Sequence, residues 1–284
     1  MDYDGRILEI AETKLKSWSK RLSTFLRATI KRLPTPILQT LWTVTHLGKK
    51  HPDLEVYQAA LRGKRGIEIG GPSMLFMTTL PLYQIVGELD GANFSNDTLW
   101  EGRLQDGGKY NYFRHRYGTQ FVAEATSLSQ IESASYDFVV SSNCLEHVAN
   151  PKKAIEEWKR VIKSGGHLVV VVPRKEGSFD HRRPVTTLAH LNDDFLNDVQ
   201  EDDMTHLEEI LELHDLSKDR PAGSPDDFRS RSLKNFNNRA LHHHVFDRML
   251  LNDVLTEAGL KVINLSEDKT NIFAMSEVEH SSFN

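Results

Sequence analysis

The stretch Lys64 to Met74, KRGIEIGGPSM, constrains this chain most, because a short apolar run leads straight into paired glycines and then into residues able to open a helix. Only glycine lets backbone amides approach a ligand closely at the carboxyl end of a strand, so a strand, Gly-Gly, helix turn predicts a site of nucleotide size. Glu68 stands two residues before Gly70 and brings a carboxylate to the same turn. Ordinary turns carry Gly-Gly too, so the register of the later strands decides the reading.

Downstream of Met74 the chain has the spacing of an alternating α/β domain. Residues 83–90, YQIVGELD, predict a second strand ending in an acid; 120–124, QFVAE, predict a third; 136–142, YDFVVSS, predict a fourth that is buried on both faces. The next helix can be bounded directly. Asn150 is its N-cap, Pro151 takes the first helical position and Ser164-Gly165-Gly166 stops it, with Ala154, Ile155, Trp158, Val161 and Ile162 as the apolar stripe. A fifth strand runs from His167 to Pro173. After an insertion, a helix near 245–258 stopped by Gly259 leads to strands at 260–266 and 271–278. This order predicts a seven-stranded, mostly parallel sheet with helices on both faces and ligands at the carboxyl ends of the strands.

Over roughly 64–173 the chain resembles the class I S-adenosylmethionine-dependent methyltransferases, whose sheet is Rossmann-like. The resemblance rests on EIGG at 68–71, the acid-ended strand near Asp90, EATSL at 124–128 and YDFVVSSNCLEHVANPKKAIEEWKRVIKSGG at 136–166. It implies S-adenosylmethionine as cofactor. Gly70 and Gly71 would lie beneath its amino-acid end, with Glu68 fixing the loop and reaching the ammonium. Asp90 would accept the ribose hydroxyls, with Asn93 as rival; Glu124 and the Ala125 amide would read the adenine edge; Ser141 and Ser142 would line the sulfonium side. Pro72 and Met74 stand where the family's loop carries two more glycines, which stiffens the turn. The plainer readings are a strand-end acid for Glu68, a turn former for Asp90 beside Gly91, and a buried small residue for Cys144, the sole cysteine.

The 284 residues, 39% hydrophobic, suffice for one α/β core with additions. No apolar run approaches the ~20 residues of a membrane span, and no signal-peptide centre is visible, so a cytoplasmic enzyme is expected. The net charge of −5 conceals an asymmetry: residues 14–32 carry seven basic residues and no acid. At about 100° per residue Leu15, Trp18, Leu22, Phe25, Leu26 and Ile30 gather on one side of a helix, opposite the basic residues. Residues 1–60 are read as a helical extension, packed on the domain or held peripherally at the inner face of the membrane through 14–32. Nucleic acid is not expected, because the acidic remainder repels a phosphate backbone.

Residues 61–284 form the predicted methyltransferase domain, with an acceptor cap inserted at about 174–244. The phrases FDHRRPVTT, THLEEILELHD and HHHVFD resemble a bacterial methyltransferase subgroup of uncertain acceptor, often linked to surface-sugar synthesis. Nine of the thirteen histidines fall within 147–244, yet no closed spacing such as H-E-x-x-H appears, and a polar acceptor pocket is preferred to a metal site. Methyl transfer needs alignment of acceptor, methyl and sulfur, plus a base if the acceptor is a hydroxyl. His147 is the leading base, His181 the second candidate, and Arg183 would help hold a small polar acceptor, a sugar or an anion. Two other classes remain: a catalytically silent module that binds S-adenosylmethionine or docks on a membrane or partner, and a dinucleotide enzyme, against which the missing third glycine and SNCLEH argue.

Overall fold

A computed structural model of the chain describes residues 50–98 and 101–279; the basic segment 14–32, and the helix expected there, lie outside the described residues. The main sheet has eight strands in the order β5-β6-β2-β1-β7-β8-β10-β9. These are β1 (Arg65–Ile69), β2 (Glu88–Asn93), β5 (Lys109–Phe113), β6 (Arg116–Val122), β7 (Tyr136–Ser142), β8 (Ile162–Pro173), β9 (Leu260–Glu267) and β10 (Asn271–Val278), while β3 (Asp97–Thr98) and β4 (Gly102–Arg103) pair separately. Strands β6, β2, β1, β7 and β8 run parallel; β5 and β10 run against them, and β9, antiparallel to β10, runs in the direction of the central strands.

The sheet has one strand more than the sequence pattern predicts. KYNYF forms β5, which turns back into β6 with Tyr110 and Tyr112 buried and Lys109 and Asn111 exposed. That alternation of period two is a half-buried edge strand. The second strand is also displaced. Residues Leu82–Gln84 form a 3-10 turn that buries Leu82 and Tyr83, and β2 starts only at Glu88. Asp90 therefore falls in the strand's interior, and Asn93 takes its carboxyl end.

Alternation along the central strands divides the core between two faces. Tyr136, Val139, Leu168, Val170 and Val172 pack with α3 (Pro151–Val161) and α8 (Arg248–Glu257), whereas Phe138, Val140, Val169 and Val171 pack with α1 (Leu54–Leu61) and Tyr83. The start of α3 agrees with the sequence, since Lys153 N donates to Asn150 Oδ1 at 3.1 Å and Pro151 opens the helix, but its end comes earlier than expected: Ile162 is already extended, and Ile162 to Gly166 begin β8 instead of closing the helix. Because Tyr57 and Leu61 of α1 are fully buried, the compact unit begins at Lys50, earlier than the expected boundary at 61. Between β8 and α8 the insertion carries four helices, α4 (Leu188–Leu196), α5 (Leu207–Leu213), α6 (Pro225–Ser232) and α7 (Asn235–Asn238). It holds a small apolar cluster of its own, built from Leu207, Ile210, Ala222, Phe228 and Leu241. No helix among the described residues is long and apolar enough to cross a membrane.

Candidate active site

The carboxyl ends of four parallel strands meet at one cavity of about 270 Å³. Ile69 ends β1 and Gly70 follows it, Asn93 ends β2 and Phe94 follows it, Ala123 to Ala125 follow β6, and Asn143 and Cys144 follow β7; His147, Val148 and, from the insertion, Glu201 and Arg239 complete the wall. Apolar lining with a few convergent polar groups is the common make-up of a small-molecule site. Gly70 has φ +77°, and a Cβ there would stand 2.7 Å from Cys144 Sγ, so both conformation and space require glycine. Gly70 N donates to Ala92 O at 2.9 Å, Asn93 Nδ2 donates to Gly71 O at 3.0 Å, and Trp158 Nε1 holds Ala125 O at 2.9 Å.

Beneath this floor lies a buried carboxylate. Glu68, 0% exposed, accepts at Oε2 from the hydroxyls of Tyr83 and Tyr110, both at 2.6 Å, and at Oε1 from Ser73 N at 3.0 Å. Burial pushes its carboxyl up to about 7 even though these three donors pull the other way. Glu68 thus holds the loop but does not reach the cavity. Gly71 is also a packing position, since a Cβ there would meet the Glu68 carboxylate and the Tyr110 hydroxyl.

Of the expected site residues, Gly70, Asn93, Glu124, Ala125 and His147 line the cavity. Asp90 does not: its carboxylate is taken by Arg65 (2.9 Å), the Tyr136 hydroxyl (2.8 Å) and Thr119 N (2.7 Å), all remote from the strand ends. Ser141 and Ser142 are buried below the wall, Ser141 donating to Ile69 O, while Asn143 and Cys144 take the lining positions. His181 pairs with Asp215 at 2.9 Å on the insertion and lies off the cavity. Arg183, 1% exposed, is committed to Asp180, Glu209 and the carbonyls of His242 and His243. It braces the insertion with four of its five N–H donors and lies off the cavity.

At the acceptor side a polar chain runs inward from the cavity. His147 Nδ1 is 2.9 Å from Leu241 O, an assignment that makes it the donor and leaves Nε2 as the acceptor nitrogen of the neutral ring. Burial and the neighbouring His242 hold His147 well below the ordinary imidazole range. Behind it Glu146 is 1% exposed, with neither carboxylate oxygen hydrogen-bonded, and burial pushes it up to about 7. Burial opposes charge on His242 as well, but Asp180, 2.5 Å from its Nδ1, outweighs this and raises it. His147 does not cap α3, a role that belongs to Asn150.

Two residues of the insertion that no sequence pattern singles out complete the wall. Arg239 Nη2 reaches Glu124 Oε1 at 2.6 Å, its Nε lies 3.5 Å from Glu201, and its guanidinium stacks over Phe94 and Phe236. Glu124 is 115 residues away from Arg239, a separation that no local pattern encodes.

Glycine at a strand end, four parallel strands converging on one cavity and LEH behind the fourth define a class of protein. Residues 82–170 match the family described as "Methyltransferase domain". The chain is 30% identical over 111 residues to a ubiquinone biosynthesis O-methyltransferase from Paraburkholderia phymatum, a match covering 38% of this chain and 44% of the relative. It thus spans less than half the length of that relative. Solved structures similar to it include a SAM dependent methyltransferase from Aquifex aeolicus (15% identity, 88% of this chain and 97% of that one, TM-score 0.45) and an S-adenosylmethionine dependent methyltransferase from Mesorhizobium loti (12%, 80% and 96%, TM-score 0.44).

Proposed function

We propose that the protein transfers a methyl group from S-adenosylmethionine to a small polar acceptor, a hydroxyl of a sugar or surface-glycan precursor. The observation that carries this reading is the cavity itself, where Gly70, Asn93, Glu124 and His147 from four strand ends converge under the insertion. The donor set fits the cofactor: Gly70 presents bare backbone, Asn93 a side-chain amide at the end of β2, and Glu124 with the Ala125 amide an edge to an adenine. Bound S-adenosylmethionine supplies an activated methyl on a sulfonium. The protein's part is alignment and proton removal. His147, neutral, takes the acceptor's hydroxyl proton as the oxygen is methylated. The O-methyltransferase relative supports oxygen as the acceptor atom, and the sugar class is supported by the subgroup that the insertion's motifs resemble.

Calorimetry tests the cofactor reading: saturable heat with S-adenosylhomocysteine and none with NAD is expected, and the reverse would favour the dinucleotide class. His147→Ala should keep that affinity and lose about 10² to 10⁴ in turnover. Because its ring stays neutral well below the ordinary range, wild-type activity should hold on the acid side of pH 6.5. A fall centred at or above that value would remove His147 from the role. The charge pattern of 14–32 favours a second site of action at an anionic membrane. Salt-sensitive sedimentation with anionic liposomes, lost on deleting 1–36, is the expected result; no sedimentation would exclude it.

A further inference from the structure

Away from the cavity the insertion gathers His190, His206 and His244, each offering one ring nitrogen within 4.8 Å of the others. His190 Nε2 and His206 Nε2 face each other at 2.9 Å. Asp194, one helical turn after His190 on α4, directs Oδ2 into the same place, 3.4 Å from His190 Nε2. These separations bracket the ~3.3 Å edge of a tetrahedron of ligands about 2 Å from a zinc ion.

Hydrogen bonding alone leaves this group unbalanced. One N–H···N bond between His190 and His206 occupies a single lone pair. Asp194 Oδ2 is buried with no hydrogen-bond partner, and so is Nδ1 of His244, a residue only 1% exposed. Buried polar atoms without partners are few in folded proteins, and one cation among them answers both the carboxylate and the imidazoles. His244 Nε2 lies 3.1 Å from Ala149 O, a backbone carbonyl contact of the kind that orients a ligating histidine, and this leaves the unpartnered Nδ1 as its ligand atom.

We propose that His190, His206, His244 and Asp194 form a structural site for a divalent transition metal, zinc by the donor set, that ties α4, the start of α5 and the returning segment 239–247 of the insertion together. Four protein ligands close the coordination sphere, so the ion takes no acceptor, and the site is independent of methyl transfer. A second convergence, Glu146, His147 and His242, is looser, with both imidazoles 4.0 Å from the Glu146 carboxylate. It is the rival location for any bound metal.

The test uses untagged full-length protein dialysed against micromolar zinc and then metal-free buffer. Elemental analysis should find about one zinc per chain, and cobalt in its place should give the visible bands of tetrahedral coordination. Asp194→Asn and His206→Ala should both fall to background while Glu146→Gln retains the metal. Calorimetry with S-adenosylhomocysteine shows whether each variant is folded. Wild-type protein without zinc, or a folded His206→Ala that keeps its zinc while Glu146→Gln loses it, would overturn the assignment.

Discussion

Glu68 is the residue whose chemistry is most exposed to a direct test. Burial raises its folded-state carboxyl from 4.5 to about 7, so between those values the folded protein holds a proton that the unfolded chain has released. The stability this lends is complete below about 4.5 and is lost as pH rises through 7. Glu68→Gln keeps the neutral form throughout. Denaturant unfolding should therefore show the variant gaining up to about 3 kcal/mol on the wild type between acid and mildly alkaline pH. A constant difference across that range would mean Glu68 is ionised in both states. Glu68 was legible from its place before Gly70, but its partners were not, since Tyr110 lies 42 residues away on an edge strand too short to stand out in the sequence. Asp90 misled for a related reason. A run that looks like strand from 83 is a 3-10 turn to 84, and the five-residue delay moves the acid from the ligand end to the interior.

Among the elements, the insertion depends on charges that a sequence reading assigns to the acceptor. Arg183 supplies donors to two carboxylates and two carbonyls with 1% of its surface exposed. Removing one partner of a buried charge network costs about 3 to 5 kcal/mol, because the others are left uncompensated. Arg183→Met should thus make 174–247 susceptible to limited proteolysis while the sheet melts as one unit; uniform resistance would show that Asp180 and His242 suffice. Arg239→Met is expected to act on the cofactor side. It leaves Glu201, which burial already pushes up to about 7, without its cation and should cost about 1 to 3 kcal/mol. The elements with local signals, α3 with its Asn150 cap and the β7–α3–β8 unit, were readable; the inward residues of the insertion were not, because long-range ion pairs leave no periodicity.

Taken whole, the molecule answers to its ligand through mass action. S-adenosylhomocysteine at about 100 times its dissociation constant should add about 2.7 kcal/mol to the folded state, which raises the melting temperature by about 5 to 10 °C for a body of this size. NAD at the same concentration should leave it unchanged. Equal shifts from both would point to a site that recognises only the adenosine half they share.

The insertion's small core has a historical consequence. Leu207, Ile210, Ala222, Phe228 and Leu241 share no member with the two clusters that clothe the sheet. Drift among those five residues leaves the register of the strands untouched. Descendants of such a chain can therefore exchange one clientele for another at the mouth of the cavity while inheriting its floor unaltered.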